Sequence, residues 1–419
     1  MTNRASTIER HQVVVVGARV AGAATAMLLA RAGHDVVLLD RSPFPSDTVS
    51  THGIARGGVV QLSRWGLLDE VHATGAPAVR EVLFRLGHGQ DVRRIKHRAG
   101  VDHLVAPRRY ALDAVLQDAA VRAGATLRTG VTVTGVRRRA DGRVVGVDGR
   151  GPGGEPVTVE ADIVIGADGV RSRMAGWLGA EVLHSSPSGT GTFYTYVADV
   201  PLETESVAYE FHVARDAFAG IFPTNDGVAC VWLGAPTRTL AMLHSPGPQR
   251  VDGLLAAITA ASPSLGARVR AGRVLSPVRG RADLPNVVRR PVGRLLSSGA
   301  GLSGRAGRSS GGWALVGDAG YHRDPVTGHG ITDAFRDAEL LAGAVDTALR
   351  NPECEQDALA GYHARRDAAL RRVFSITRDL SAFPDPERFV ELQIQLSDAL
   401  EREAEDLAAM PFPAAAIAA

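Results

Sequence analysis

Cysteine is scarce: the 419 residues hold two, Cys230 and Cys354, too few for a disulfide framework and not spaced as metal ligands. Lysine is all but missing. Lys96 is the only one, and arginine carries the rest of the positive charge, which we read as the codon bias of a GC-rich genome rather than as phosphate chemistry. Aromatic residues make up only 5%. No apolar run approaches the ~18 residues of a membrane-spanning helix, and the first twelve residues, with Arg4, Glu9 and Arg10, have no apolar stretch of a secretory leader. With 47 basic and 45 acidic residues, no field of one sign favours nucleic acid or an anionic membrane. What remains is an ordinary folded composition, 45% hydrophobic and 22% charged, on a chain long enough for roughly three domains. We expect a cytoplasmic protein with no stable membrane association and no nucleic-acid partner.

Residues 13–16 are four valines, the pattern of a strand buried on both faces of a parallel sheet. A glycine turn follows, then an Ala/Leu-rich helix over 21–31, a stop at Gly33 and a second buried strand over 36–39 ending at Asp40. This is a βαβ unit. Helices are expected over 65–71, 111–123, 254–261 and 331–349, and across 357–405 with a break at Pro384 and Pro386. Hairpins turn at Asp141-Gly142 and at Asn225-Asp226-Gly227. Between 190 and 233 the texture changes to alternating aromatic and β-branched residues, read as an antiparallel sheet. Segment 295–312 is almost wholly Ser, Gly, Arg and Ala, a flexible insertion by composition, and the Ala-rich tail after Pro411 reads as disordered.

Gly17-Ala18-Arg19-Val20-Ala21-Gly22 lies between strand and helix, where backbone N–H groups and the helix N-terminus can bind a pyrophosphate. Asp40, followed by Arg41, stands at the end of the second strand, where a carboxylate can accept from a ribose diol. The middle glycine of the usual fingerprint is Arg19 here, either a phosphate partner or a solvated turn arginine. Alone the motif does not separate NAD from FAD.

Two further segments complete a pattern. Asp162-Ile163-Val164-Ile165-Gly166-Ala167-Asp168-Gly169-Val170-Arg171-Ser172 and Leu315-Val316-Gly317-Asp318-Ala319, continuing through Pro325, Gly328, Gly330 and Ala334, follow the opening fingerprint in order. With these three the chain resembles the group A flavoprotein monooxygenases typified by para-hydroxybenzoate hydroxylase. The resemblance implies an α/β fold: a Rossmann-type FAD-binding domain with a parallel sheet, an inserted, mostly antiparallel β substrate domain and C-terminal helices. Its segments would be 1–80, 103–180 and 285–345 for the FAD-binding domain, 81–102 and 181–284 for the β domain, and 346–419 for the helical region.

The resemblance also implies a cofactor, FAD, with NAD(P)H as transient reductant and O2 as co-substrate. Asp318 would hold the ribityl chain, and Pro325, Gly328, Gly330 and Ile331 would face the flavin pyrimidine edge from a helix N-terminus, a site that favours negative charge on a reduced ring. Arg109 falls where the family has a cofactor-contacting arginine, and Asp168 and Gly169 lie in its Asp-Gly segment. Many relatives carry an arginine near Ser50, missing here; Arg19 could replace that charge. In the family a flavin C4a-hydroperoxide would hydroxylate or epoxidise the substrate, here a mainly apolar, aromatic or polyketide-like small molecule. Candidate catalytic residues are His52 and His329; substrate contacts are Tyr194, Tyr196, His212, Phe222 and Pro223, although an aromatic at such a position is more often core than ligand contact. Tyr321 and His322 rank next. Alternatives are a prenyl-reductase-type enzyme and a flavin-binding accessory protein without turnover. No metal ligand set is evident, and oligomeric state is unreadable.

Overall fold

A computed structural model describes residues 8–204, 206–240, 243, 248–293 and 311–411. The chain opens with β1 (Ile8–Val16), α1 (Val20–Arg31), β2 (Val36–Asp40), α2 (Arg56–Arg64) and α3 (Leu68–Ala73), then β3 (Glu81–Leu86), β4 (Gly89–Arg94) and α4 (Arg109–Arg122). Next come β5 (Thr126–Thr129), β6 (Thr132–Arg138), β7 (Val144–Arg150), β8 (Pro156–Gly166) and α5 (Arg173–Leu178). The middle holds β9 (Val182–Ser186), β10 (Thr190–Ala198), β11 (Ala208–Ala214), β12 (Ala217–Pro223), β13 (Val228–Pro236), α6 (Pro248–Ala261) and α7 (Pro263–Ala271). The last part holds β14 (Arg273–Val274), β15 (Arg279–Ala282), β16 (Asn286–Arg289), β17 (Trp313–Leu315), β18 (Tyr321–His322), α8 (Gly330–Arg350), α9 (Glu355–Ser381) and α10 (Pro386–Ala409).

The valines of β1 pair in parallel with β2 on one side and β8 on the other, and β5 and β17 extend the parallel set; β7 and β6 finish the sheet as an antiparallel hairpin. Both faces are covered, which is why β1 is apolar at every inner position. Val13, Val15, Ile163 and Ile165 pack with α1, α4 and α8, while Val14, Val16, Val164 and Leu315 join the opposite core with Met174 and Leu178 of α5.

The second sheet runs β14-β10-β13-β12-β11-β3-β4, with β15 also on β10. Its pairings are antiparallel except β11 with β3, which is parallel because β3 arrives from a distant part of the chain. One face, with Tyr194, Tyr196, Phe218, Phe222 and Trp232, packs on α9 and α10; the other, with Phe193, Ile221, Val231 and Leu233, packs on α6 and α7. A small third sheet joins β18, β16 and β9.

The structure differs from the sequence reading in places. Of the helix expected over 65–71 only 68–71 is helical, as the start of α3; the unexpected α2 ends just before it, at Arg64, and Gly66 at φ +71° makes the turn between them. Gly130, at φ +71°, separates β5 from β6 before the hairpin that turns at Asp141-Gly142. The expected flexible insertion lies outside the described residues apart from Gly311 and Gly312, as does the tail beyond Pro411. No helix among the described residues is long and apolar enough to cross a membrane.

Cys230 is buried in β13, and burial pushes its thiol well above the usual range, whereas Cys354 is exposed. A thiol reagent should therefore modify one cysteine in the folded protein and both after unfolding. Prompt modification of both under native conditions would contradict this packing.

Candidate functional site: a cavity between the two sheets

A cavity of about 800 Å3 runs from the β1–α1 turn to the N-terminus of α8 and under the second sheet. The three sequence motifs meet on its walls. Gly17, Arg19, Asp40 and Arg41 line one end; Asp168 and Gly169 lie on one side; Asp318, Pro325, Gly328, His329, Gly330 and Ile331 line the other end. They converge because β1, β8 and β17 are neighbours in one parallel sheet, so the loops leaving their C-terminal ends emerge together.

Gly17 is at φ +110°, and a Cβ there would sit 2.4 Å from Ala167 O. A Cβ on Gly22 would sit 1.8 Å from Gly17 O. Both glycines are therefore obligatory for the crossing of the β1–α1 turn over the β8 loop, although Gly22 and Ala18 themselves stand behind the cavity wall. Arg19 needs no special freedom: as α1 N-cap it has φ −91° and ψ −169°, ordinary extended backbone. Asp40 ties the turn down, accepting Ala18 N–H at 2.8 Å and Ser42 N–H at 2.7 Å.

These features fit FAD. No side chain caps α1 or α8, so each presents first-turn N–H groups to the cavity with the positive end of its dipole. The α1 end would take the pyrophosphate and Asp40 the adenosine ribose; Asp318, whose carboxyl is pushed up by burial, would take the ribityl chain, with Gly317 behind it at φ +58°. Gly328 (φ +67°) and Gly330 leave open space where a Cβ would stand, so a flat ring can approach the α8 end. Asp168 also holds the start of α5 in place, accepting Ser172 Oγ–H, Arg173 N–H and Met174 N–H.

Of the candidate catalytic residues, His52 is buried on the cavity wall in the left-handed region, at φ +72°. Its Nε2 lies 2.6 Å from Tyr196 Oη, and Nδ1 has no partner. Tyr196 Oη in turn donates to Asp47 Oδ2 at 3.5 Å, and Asp47 pairs with Arg108 at 2.6 Å. These partners assign the ring hydrogen to Nε2 and leave the Nδ1 lone pair buried without a partner in the fold. Burial pushes the His52 pKa down to about 3, against the attraction of Asp47. Burial, with Arg323 alongside, holds His329 at about 3 as well, and its Nδ1 also lacks a partner.

The buried ring couples stability to pH. His52 binds a proton in the unfolded chain below its ordinary 6.5 but in the folded one only below about 3. Stability is therefore untouched above 6.5 and falls as pH drops from there toward 3, at about 1.4 kcal/mol per pH unit for one proton. Urea unfolding at several pH values in that window should show a slope shallower by one proton in His52→Gln, and an unchanged slope would contradict the buried neutral ring.

The substrate candidates separate. Tyr194 lines the cavity, its Oη accepting from Ser50 N–H and donating to Thr48 O. Tyr196 stands behind His52. Phe222 and Pro223 are not on the wall: Phe222 is core against Tyr209 and Trp232, and its ring would be 3.1 Å from a Cβ on Gly53. His212 is turned away altogether, toward α6 and α7, with Nδ1 2.9 Å from Ser262 Oγ and Nε2 3.3 Å from Glu210, because alternate residues of β11 face opposite sides.

Several wall residues escaped the sequence reading: Thr48, Thr192, Arg281, Arg323 and Asp333. Arg323 and Asp333 form a buried pair at 2.6 Å. Arg109 is on the wall too, but its guanidinium is committed to Asp113, an acid the sequence reading passed over. The four-residue spacing of Arg109, Asp113 and Gln117 was the available signal.

A family model described as FAD binding domain matches residues 10–241. Among curated relatives, digeranylgeranylglycerophospholipid reductase of Methanocella arvoryzae is 25% identical over 367 residues, covering 86% of this chain and 83% of that protein. The myxobacterial chondrochloren halogenase CndH shares the fold with a TM-score of 0.74 at 20% identity, over 96% of both chains. PqsL of Pseudomonas aeruginosa, described as a probable FAD-dependent monooxygenase, does so with a TM-score of 0.72 at 21% identity, over 92% of this chain and all of its own. With the family match spanning the glycine turn, the Asp-Gly segment and much of the second sheet, the chain belongs to the FAD-binding-domain family of flavoproteins and is an FAD-dependent oxidoreductase.

Proposed function

We propose that the protein is a monooxygenase that uses NAD(P)H and O2 to hydroxylate or epoxidise a mainly apolar, aromatic or polyketide-like small molecule. The observation that carries this reading is the buried, neutral His52, with an unpartnered Nδ1 on the wall of the cavity that the flavin motifs share. When bound, FAD would supply the two-electron redox chemistry between NAD(P)H and O2 or an unsaturated substrate.

The chain's own work is positional and protonic. His52 Nδ1 accepts a hydrogen bond from a substrate hydroxyl, drawing electron density onto its oxygen and making the substrate more nucleophilic while the ring stays neutral. The ring is held for this through Nε2–H on Tyr196 Oη and, beyond it, Asp47. Tyr194 and the second sheet form one wall of the cavity, and the α8 N-terminus stabilises negative charge at its end of the cavity. The chain's only lysine, Lys96, is exposed and away from the cavity walls, which speaks against lysine-dependent halogenation.

His52→Ala should lower kcat by about tenfold or more, the worth of a hydrogen bond to the reacting hydroxyl, while leaving FAD bound; a variant with parental kcat would remove His52 from the chemistry. A reductase acting on a prenyl chain is the second reading, favoured by the name of the archaeal relative. A screen of aromatic, polyketide and prenyl compounds for stimulated NAD(P)H oxidation under labelled O2 separates the two. One labelled oxygen atom in the product supports the monooxygenase, and saturation without label supports the reductase. The absence of any substrate-stimulated turnover favours an accessory role.

A further inference from the structure

Helix α4 carries Arg109, Asp113 and Gln117 on one face, all buried. All three reach toward the β1–α1 turn. Gln117 Nε2 donates to Ala18 O at 2.6 Å. Asp113, whose side chain has no exposed surface, accepts Arg19 Nη1 at 2.9 Å on Oδ2, Arg109 Nε at 3.0 Å on Oδ1 and Arg109 Nη2 at 3.2 Å on Oδ2. Arg19 is steadied further by the carbonyl and hydroxyl oxygens of Ser46, each at 3.2 Å, and by the Phe44 ring, 5.3 Å from its guanidinium.

Two guanidinium groups therefore share one carboxylate. One net positive charge remains, and both arginines are on the cavity wall while Asp113 is behind it. Two unpaired arginines side by side would repel and swing apart; a common carboxylate between them fixes both planes. Arg19 also occupies the fingerprint position at which a glycine would let the backbone come closest to phosphate.

We propose that Asp113 is a positioning residue for the dinucleotide, holding Arg19 and Arg109 as a singly charged clamp on the FAD pyrophosphate, with the Arg19 side chain in the role usually left to backbone approach. The proposal extends the FAD assignment and is independent of whether the enzyme oxygenates or reduces.

Apoprotein of the parent, Arg19→Gln and Asp113→Asn is titrated with FAD and with riboflavin, which has the ring system but no phosphate, following flavin fluorescence; the melting temperature of each apoprotein is recorded alongside. The clamp requires Arg19→Gln to weaken FAD binding about tenfold or more, the worth of a lost charge-assisted hydrogen bond, with riboflavin changed by no more than about twofold. Asp113→Asn gives opposite signs for opposite roles. Removing the carboxylate doubles the site's positive charge, so a part in charge balance alone predicts tighter FAD binding, whereas positioning predicts weaker binding. Parental FAD affinity in Arg19→Gln, equal losses for FAD and riboflavin, or tighter FAD binding by Asp113→Asn would each overturn the proposal. Should Asp113→Asn not fold, Arg19→Gln decides, since its partly exposed side chain tolerates replacement.

Discussion

Gly22→Val should purify colourless, with FAD affinity reduced at least a hundredfold. The Cβ alone would overlap Gly17 O at 1.8 Å and crowd the Ala167 Cβ at 3.1 Å, before the two methyl groups are placed. Neither neighbour can give. Gly17 is held by its own N–H on Leu39 O at 2.7 Å, and Ala167 by its N–H on Val16 O at 2.8 Å. Overpacking of a tight site costs about 1–3 kcal/mol or more, and here the strain goes into the turn and the α1 N-terminus that would cradle the pyrophosphate. Gly33→Ala is the control. At φ +88° with nothing within 4 Å of its Cβ, it should lose about 1 kcal/mol through backbone strain alone and keep its flavin. A yellow Gly22→Val protein with FAD affinity near the parent's would show that the turn can shift, against the packing described here.

The second large effect concerns stability. Arg336 of α8 is 3% exposed and donates to Asp333 at 3.0 Å, Asp337 at 2.8 Å and Glu403 of α10 at 2.7 Å. Two buried carboxylates and a partly buried third hold it charged, far above its ordinary range despite the cost of burial. Arg336→Met keeps the stem and removes the charge, leaving Asp333 with Arg323 and Asp337 with the attraction of Arg366. Breaking such a buried cluster costs about 3–5 kcal/mol, which urea unfolding near neutral pH would read directly. The deficit should shrink as pH falls. In the variant the carboxyls titrate above their unfolded values, so the folded state takes up protons first and gains stability relative to the parent. A loss under about 1 kcal/mol, or one that grows toward acid, would show that the cluster is more hydrated than its burial implies. Because Arg323 and Asp333 also line the cavity, a destabilised cluster should loosen the flavin end of the site as well.

What could be read along the chain was whatever depends on near neighbours. The four valines of β1, the glycine turn and Asp40 announce a βαβ unit because buried parallel strands and tight turns restrict residue type locally. The Asp168 and Asp318 segments reach the same cavity for the same reason, as loops at the ends of parallel strands. The hairpins at Asp141-Gly142 and Asn225-Asp226-Gly227 are in place in the structure. Short-range chirality was harder: nothing in the composition around Gly66 distinguishes a tolerated helical glycine from one that ends α2 at positive φ.

The amino-acid order by itself determined the dinucleotide turn and the parallel sheet behind it, since each rests on backbone geometry that few residues permit, and FAD followed from the family resemblance that the three motifs carry. Only the tertiary structure decided where the long side chains go. Arg19 is committed to Asp113, His212 leaves the site for Ser262 and Glu210, Phe222 becomes core, and His52 meets Tyr196. Those outcomes depend on which helix crosses which loop and which face of β11 is inward. Arg19 and Asp113 are 94 positions apart and His52 and Tyr196 are 144 apart, distances at which local spacing carries no information and the balance between burial and pairing settles each charge.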